Sequence, residues 1–158
     1  MTPIVSFQST HIPEVVGLSR KLESDSVPCS YWVLDSSSAQ ALLNNPHKTS
    51  FVTLYDGAVR GIATLTRGEA FQQHLAEISV AVDPAQRQHG LAHALLIQLE
   101  STAREKGIEL LKALITTTNT PSRRLFEALG YEHRATLYAE FKSAEFGEID
   151  DCVYYKRL

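Results

Sequence analysis

Arg87, Gly90 and Ala92 stand in an R-x-x-G-x-A run just behind an alternating apolar segment, Ile78-Ser79-Val80-Ala81-Val82. The segment reads as a strand, Pro84 stops it, and a basic, polar turn leads into an amphipathic helix expected over 89–106. A strand that feeds a loop into a helix N-terminus makes an anion cradle. Unpaired backbone N–H groups point outward there, and the helix dipole favours negative charge. Gly90 and Ala92 carry little or no side chain, so a phosphate can come close to the backbone. These residues point to a pyrophosphate-bearing cofactor. Two nucleotide motifs are excluded: the chain has no G-x-x-x-x-G-K-[ST] string, and Gly90 is the only glycine where a dinucleotide fingerprint needs three.

A second run follows the buried-looking strand Leu110-Leu111-Lys112-Ala113-Leu114-Ile115. It is Asn119-Thr120-Pro121-Ser122-Arg123-Arg124-Leu125-Phe126-Glu127-Ala128-Leu129-Gly130-Tyr131. Thr120 is the expected N-cap, with Pro121 at the first helical position. Leu125, Phe126 and Leu129 lie at helical spacing, and Gly130 is a C-terminal stop. The first run resembles motif A of the GNAT acetyltransferase superfamily, [QR]-x-x-G-x-[GA]. The second resembles motif B, N-x-x-[AS]-x-x-[LF]-[YF]-x-x-x-G-[FY], at every defined position. The motifs come in the right order, each in a strand–turn–helix context, and the resemblance extends in outline over the whole chain.

That resemblance implies acetyl-CoA as the cofactor, bound where two central strands splay apart. Val80, Ala81 and Val82 would line the cleft, pair with the pantetheine arm as an added strand does, and offer an amide near Val80 to the thioester carbonyl. Arg87, Gln88, His89, Gly90, Leu91, Ala92 and His93 would form the pyrophosphate loop. Asn119, Ser122 and Phe126 would face the cofactor arm, although Asn119 reads equally well as a helix cap. The implied reaction is transfer of an acetyl group to a primary amine of a small molecule or peptide, by direct attack in a ternary complex. Neither Cys29 nor Cys152 is near the motifs in sequence, which argues against a covalent cysteine route.

Phe126 departs from the pattern, because many family members carry Tyr there, with its hydroxyl placed to protonate the leaving thiolate. Three alternatives stay open. The thiolate leaves unaided or with water, since a thiol of pKa about 8.5 is a tolerable leaving group. Another hydroxyl substitutes, with Tyr131, Tyr138 and Ser122 as candidates. Or the chain is an acyl-CoA-binding module with weak or no catalysis. Members that acetylate ribosomal protein N-termini pair a Glu on the strand before motif B with the motif Tyr. Leu114 and Phe126 here argue against that subgroup.

Glu77 is the candidate general base. An alkylammonium with pKa about 10.4 must lose a proton before it attacks a thioester, and a carboxylate can take it directly or through water. Period-2 alternation puts Glu77, Ser79 and Ala81 on one face of their strand. Glu77 also reads as a surface carboxylate at a strand start. On the acceptor side, Tyr31 and Trp32 could line a pocket, and Glu23, Asp25 and Glu69 could attract an amine. The acidic run Glu145, Glu148, Asp150, Asp151 reads either as a lure for a polycationic amine or as a charged hairpin turn.

These residues need a scaffold, and the composition supports one. The chain has 158 residues, 44% of them hydrophobic and 21% charged, as expected of one globular domain over 1–158. The net charge of −3 and the dispersed basic residues argue against nucleic acid as a partner. No apolar run approaches the roughly 20 residues of a membrane span, and no secretory pattern opens the chain, so a cytoplasmic location with free thiols is expected. The six His residues show no metal-binding spacing.

The expected element order is β-α-α-β-β-β-α-β-α-β-β. A strand over 3–7 precedes a helix over 12–22 capped by Thr10. Ser36-Ser37-Ser38 caps a second helix through Leu43, which Asn44-Asn45-Pro46 breaks. Strands over 50–55 and 59–65 flank the hairpin signal Asp56-Gly57. The strand over 75–82 delivers the loop, and strands over 132–141 and 151–156 close the chain. This is a mixed α/β fold with a mostly antiparallel sheet, and the resemblance adds a splay between the fourth and fifth strands. A homodimer through the C-terminal strands is compatible with it.

Overall fold

A computed structural model describes residues 2–25 and 35–158. The elements run β1 (Ile4–Ser6), α1 (Ile12–Glu23), α2 (Ser36–Asn44), β2 (Lys48–Tyr55), β3 (Ala58–Arg67), β4 (Leu75–Val82), α3 (Leu91–Glu105), β5 (Leu110–Thr116), α4 (Thr120–Ala128), β6 (Glu132–Ser143) and β7 (Gly147–Arg157). This is the expected order. The strands form one seven-stranded sheet in the order β1-β2-β3-β4-β5-β7-β6. Every neighbouring pair is antiparallel except β4 and β5.

That parallel pair is short. Leu75, Ala76 and Glu77 face Leu110, Leu111 and Lys112, and the pairing then stops. Beyond Glu77 and Lys112 the two strands diverge, so among the described residues β4 from Ile78 to Val82 pairs with β3 alone. The sheet therefore contains an internal free edge, which a closed ladder would not leave.

Helices cover both faces. On one, α3 and α4 bury Leu95, Leu96, Leu99 and Phe126 against Ala63, Ile78, Leu111, Ile115 and Tyr154. On the other, α1 and α2 bury Val15, Val16, Leu18 and Ala39 against Val52, Ile62 and Ala81. Period-2 alternation supplies both cores: neighbouring residues Ile62 and Ala63 on β3 serve opposite faces. Tyr154, fully buried on β7, ties α4 down: its hydroxyl donates to Glu127 (2.8 Å) and accepts from Arg123 Nε (3.0 Å).

Local signals held in most places and were displaced by a residue or two in others. Asp56 and Gly57 both take positive φ, 52° and 73°, as a tight hairpin demands. Thr10 is not the cap of α1; it lies in a 3-10 turn over Ser9–His11, and His11 caps the helix, with Pro13 in its first turn. The cap of α2 is Asp35 rather than a serine, its carboxylate accepting from the Ser38 N–H at 2.7 Å. Asn119, not Thr120, caps α4. The Asp35 and Asn119 caps follow from reach, because a side chain bonds best to the N–H two or three residues ahead.

Candidate active site

Gly90 adopts φ 76° and caps α3 without any side chain. Its carbonyl accepts the first helical bond, from the Ala94 N–H at 3.0 Å. The N–H groups of Leu91, Ala92 and His93 thus face outward with no intrahelical acceptor. A Cβ at Gly90 would meet nothing within 4 Å, so space does not require glycine there; the left-handed backbone does. Gln88 also takes positive φ, 67°, and the two left-handed residues curl the loop around the helix end.

Below the cradle lies a cleft of about 370 Å³ lined by Val80, Ala81, Val82, Gln86, Arg87, Gln88, Gly90, Leu91, Ala92, His93, Asn119 and Ser122, with Leu22, Pro121 and Leu125 completing the walls. One hydrogen bond fixes which β4 groups face it. The Asp83 N–H donates to Arg60 O on β3 at 2.8 Å, and antiparallel pairing alternates. Ala81 therefore also turns its amide to β3, while Val80 and Val82 turn theirs toward the divergence. A strand edge and an open helix N-terminus thus form one continuous polar path, which suits a phosphorylated, amide-bearing arm.

Asp83, which the sequence reading passed over, anchors this loop. It is 2% exposed and takes Lys21 Nζ at 2.8 Å and Arg60 Nη1 at 3.1 Å, while its other oxygen accepts the Ala85 N–H at 3.1 Å. Burial alone would push its carboxyl up, but the Lys21 ammonium, the Ala85 amide and the Arg60 guanidinium together hold it below the ordinary value. The signal was an Asp directly before Pro at a strand end, an Asx-turn pattern.

Other expected site residues are distributed differently. His89 does not line the cleft: its Nδ1 lies 3.2 Å from Gln86 O and its ring packs 5.5 Å from Tyr55. Arg87 lines the cleft while its guanidinium is paired with Asp25, so Asp25 is engaged there. Asn119 lines the cleft and also caps α4, accepting from the Ser122 N–H at 3.4 Å. Phe126 is 3% exposed, set edge-on to Tyr131 at 4.9 Å, in the core rather than in the cleft wall.

Two of the three alternative acids, Tyr131 and Tyr138, are also set apart from the cleft wall. The Tyr131 hydroxyl is buried, and that burial, with the Glu100 charge nearby, pushes its pKa far up. Tyr138 is 87% exposed on β6. Among the described cleft residues, Ser122 carries the only side-chain hydroxyl. Glu77 is half exposed at the point where β4 and β5 part, with Lys112 Nζ 3.8 Å away. Glu69 pairs with His47 at 3.5 Å on another surface, and Glu23 is exposed at the end of α1. Cys29, Tyr31 and Trp32 lie outside the described residues; Cys152 is free and buried, which pushes its thiol pKa up.

The sequence pattern of the acetyltransferase (GNAT) family matches residues 19–131, from α1 to the end of motif B. The chain belongs to the GNAT acetyltransferase family. Solved structures share its fold over nearly its full length. An N-acetyltransferase from Staphylococcus aureus Mu50 is 22% identical and superposes with a TM-score of 0.88, covering 99% of this chain and 98% of its own. A ribosomal-protein-alanine N-acetyltransferase from Brucella melitensis is 24% identical, with a TM-score of 0.87 and 99% of each chain covered. A putative acetyltransferase from Salmonella typhimurium, solved with its cofactor acetyl-CoA, is 22% identical with a TM-score of 0.85, covering 100% of this chain and 94% of its own. The GNAT family uses acetyl-CoA. The divergence of β4 from β5 is the feature of this GNAT fold that opens the cleft.

Proposed function

We propose that the chain is an N-acetyltransferase that moves an acetyl group from acetyl-CoA to a primary amine of a small molecule or peptide, by direct attack. One observation carries this reading. Open amides at the start of α3 continue into the free edge of β4, and that edge ends at the fork beside Glu77. The Leu91, Ala92 and His93 amides suit a pyrophosphate. The Val80 and Val82 groups suit an amide-bearing arm paired as an added strand. Acetyl-CoA supplies an acyl carbon activated as a thioester.

The Val80 N–H, facing the divergence, is the donor for the carbonyl oxygen as negative charge develops there. Glu77 takes the amine proton directly or through water, with Lys112 Nζ 3.8 Å from its carboxylate. No side-chain hydroxyl other than that of Ser122 lines the cleft among the described residues. The thiolate therefore leaves with water or with Ser122 as proton source, which a thiol of pKa about 8.5 tolerates. The same shortage favours the second reading, an acyl-CoA-binding module with weak catalysis.

Calorimetry of acetyl-CoA binding tests the site. Gly90→Asn keeps the left-handed conformation available and is expected to bind within about threefold of wild type. Gly90→Asp puts a carboxylate at the cradle and is expected to weaken binding by at least ~10-fold. Equal binding by the two variants would remove the cradle from the argument. Acetyl-CoA binding with no CoA release across an amine panel would select the binding module.

A further inference from the structure

Three carboxylates are buried among the described residues: Asp83, Glu100 and Asp151. Asp83 is held by Lys21 and Arg60, and Glu100 by Lys156 at 2.8 Å and Arg104 at 3.5 Å. Asp151 differs. It is 0% exposed, and neither carboxylate oxygen has a hydrogen-bond partner. A buried carboxylate with no donor is costly to a fold, so a missing donor is the feature to explain.

Register locates it. On β7, Cys152 and Tyr154 point into the α3 and α4 core, so Asp151 between Asp150 and Cys152 points to the opposite face. Its Cα partners are Thr116 on β5 and Leu137 on β6. On β5, Lys112, Leu114 and Thr116 share that face, and Lys112 pairs in register with Glu77. Asp151 and Glu77 therefore lie on the same face of the sheet, on strands either side of β5, with Asp151 buried there. The β6 register slips between Leu137 and Phe141, and Glu140 lies in that irregular stretch. The charges of Glu140 and Glu77 both act on Asp151. Lys112 is the cation on this face beside Glu77, whereas Arg123 of α4 is bonded to Tyr154 and Thr117 O, and Asp150 accepts the Ala139 N–H.

We infer that Asp151 receives the ammonium group of the acceptor, and that the substrate is a cationic primary amine with no carboxylate beside its nitrogen. The inference rests on the acetyl-transfer reading. An ammonium brings the donors that both Asp151 oxygens lack, and its charge is favoured by Glu77 and Glu140 together. A carboxylate on the neighbouring carbon meets the same three acids and is repelled. Burial, with the Glu140 and Glu77 charges, pushes the Asp151 carboxyl up to about 6, so recognition weakens as pH falls through that value.

Butylamine and norvaline make the test, because norvaline is butylamine with a carboxylate beside the nitrogen. Steady-state acetylation is expected to favour butylamine in kcat/KM by at least ~10-fold. Asp151→Asn is expected to lower kcat/KM for butylamine ~10-fold or more through KM, and to erase the acid limb near pH 6. It should leave acetyl-CoA binding within ~2-fold, which also reports that the variant is folded. Exposed Glu140→Gln is a second variant that spares the fold, and it should move the acid limb to lower pH. Two results overturn the inference while leaving acetyl transfer standing: norvaline used as well as butylamine, or an Asn variant with unchanged butylamine kinetics. Turnover of neither amine by wild type that binds acetyl-CoA also overturns it, and favours the binding module. Wild type that binds no acetyl-CoA removes the acetyl-transfer reading and the inference with it.

Discussion

Asp151 also makes a prediction about stability. Its folded pKa, about 6, lies above the unfolded value of about 4. Folding therefore favours the protonated form. Below pH ~4 both states are protonated and no penalty exists; it grows between about 4 and 6 and is complete above about 6, on the order of 3 kcal/mol. Asp151→Asn is expected to match wild type in urea unfolding at pH 4 and to exceed it by about 2–3 kcal/mol at pH 8. A stability difference independent of pH would refute this. A residue that stabilises when lost but impairs amine use is the signature of a functional site. Tyr131 makes the opposite case. Its hydroxyl is buried beside Phe126 and Glu100, so Tyr131→Phe should leave kcat unchanged within about twofold. A loss of ~100-fold would restore it as the acid.

At the scale of elements, Thr53 of β2, Ala81 of β4 and Leu95 of α3 all close on one position of β3. Gly61 on β3 makes this possible: a Cβ there would fall 2.9 Å from Thr53 Cγ2, 3.1 Å from Ala81 O and 3.1 Å from Leu95 Cδ1. Gly61→Ala is expected to cost about 1–3 kcal/mol and, by displacing Ala81 and its neighbours Val80 and Val82, to weaken acetyl-CoA binding about 3–10-fold. Denaturant melts and calorimetry check the two effects separately, and lost stability with unchanged binding would show that the strand edge does not move. The strands and helices themselves were legible in the chain. Alternation marked β4, Asp56-Gly57 marked the hairpin, and the Asn119–Tyr131 run marked α4, because these are local preferences. What escaped were side-chain destinations. His89 sits in a loop that looked wholly like a phosphate cradle, yet its ring packs on Tyr55 of β2. Arg87 meets Asp25 across 62 positions.

For the molecule as a whole, ligand binding at the fork should couple to folding, since the free edge of β4 runs through the middle of the sheet. Acetyl-CoA at 100 times its Kd is expected to stabilise the protein by about 2.7 kcal/mol, with new amide exchange protection at Val80, Val82 and Leu91–His93. Protection elsewhere with none at these amides would place the cofactor away from the cleft. No helix among the described residues is long and apolar enough to cross a membrane. The sequence by itself determined the element order, the presence of a glycine at the cradle and the motif-bearing loops, while the left-handed backbone of that glycine came from the structure. Each rests on interactions within a few residues, where backbone sterics and periodicity suffice. Tertiary structure alone decided where β4 and β5 part, after Glu77 and Lys112, that Phe126 and Tyr131 belong to the core, and that Asp151 turns inward. The alternation Ile149-Asp151-Val153 carried a hint of the last, since an acid stands in the apolar phase of a strand. Its meaning depended on which strands flank β7 and which charges they bring, and pairing across the sheet fixes that.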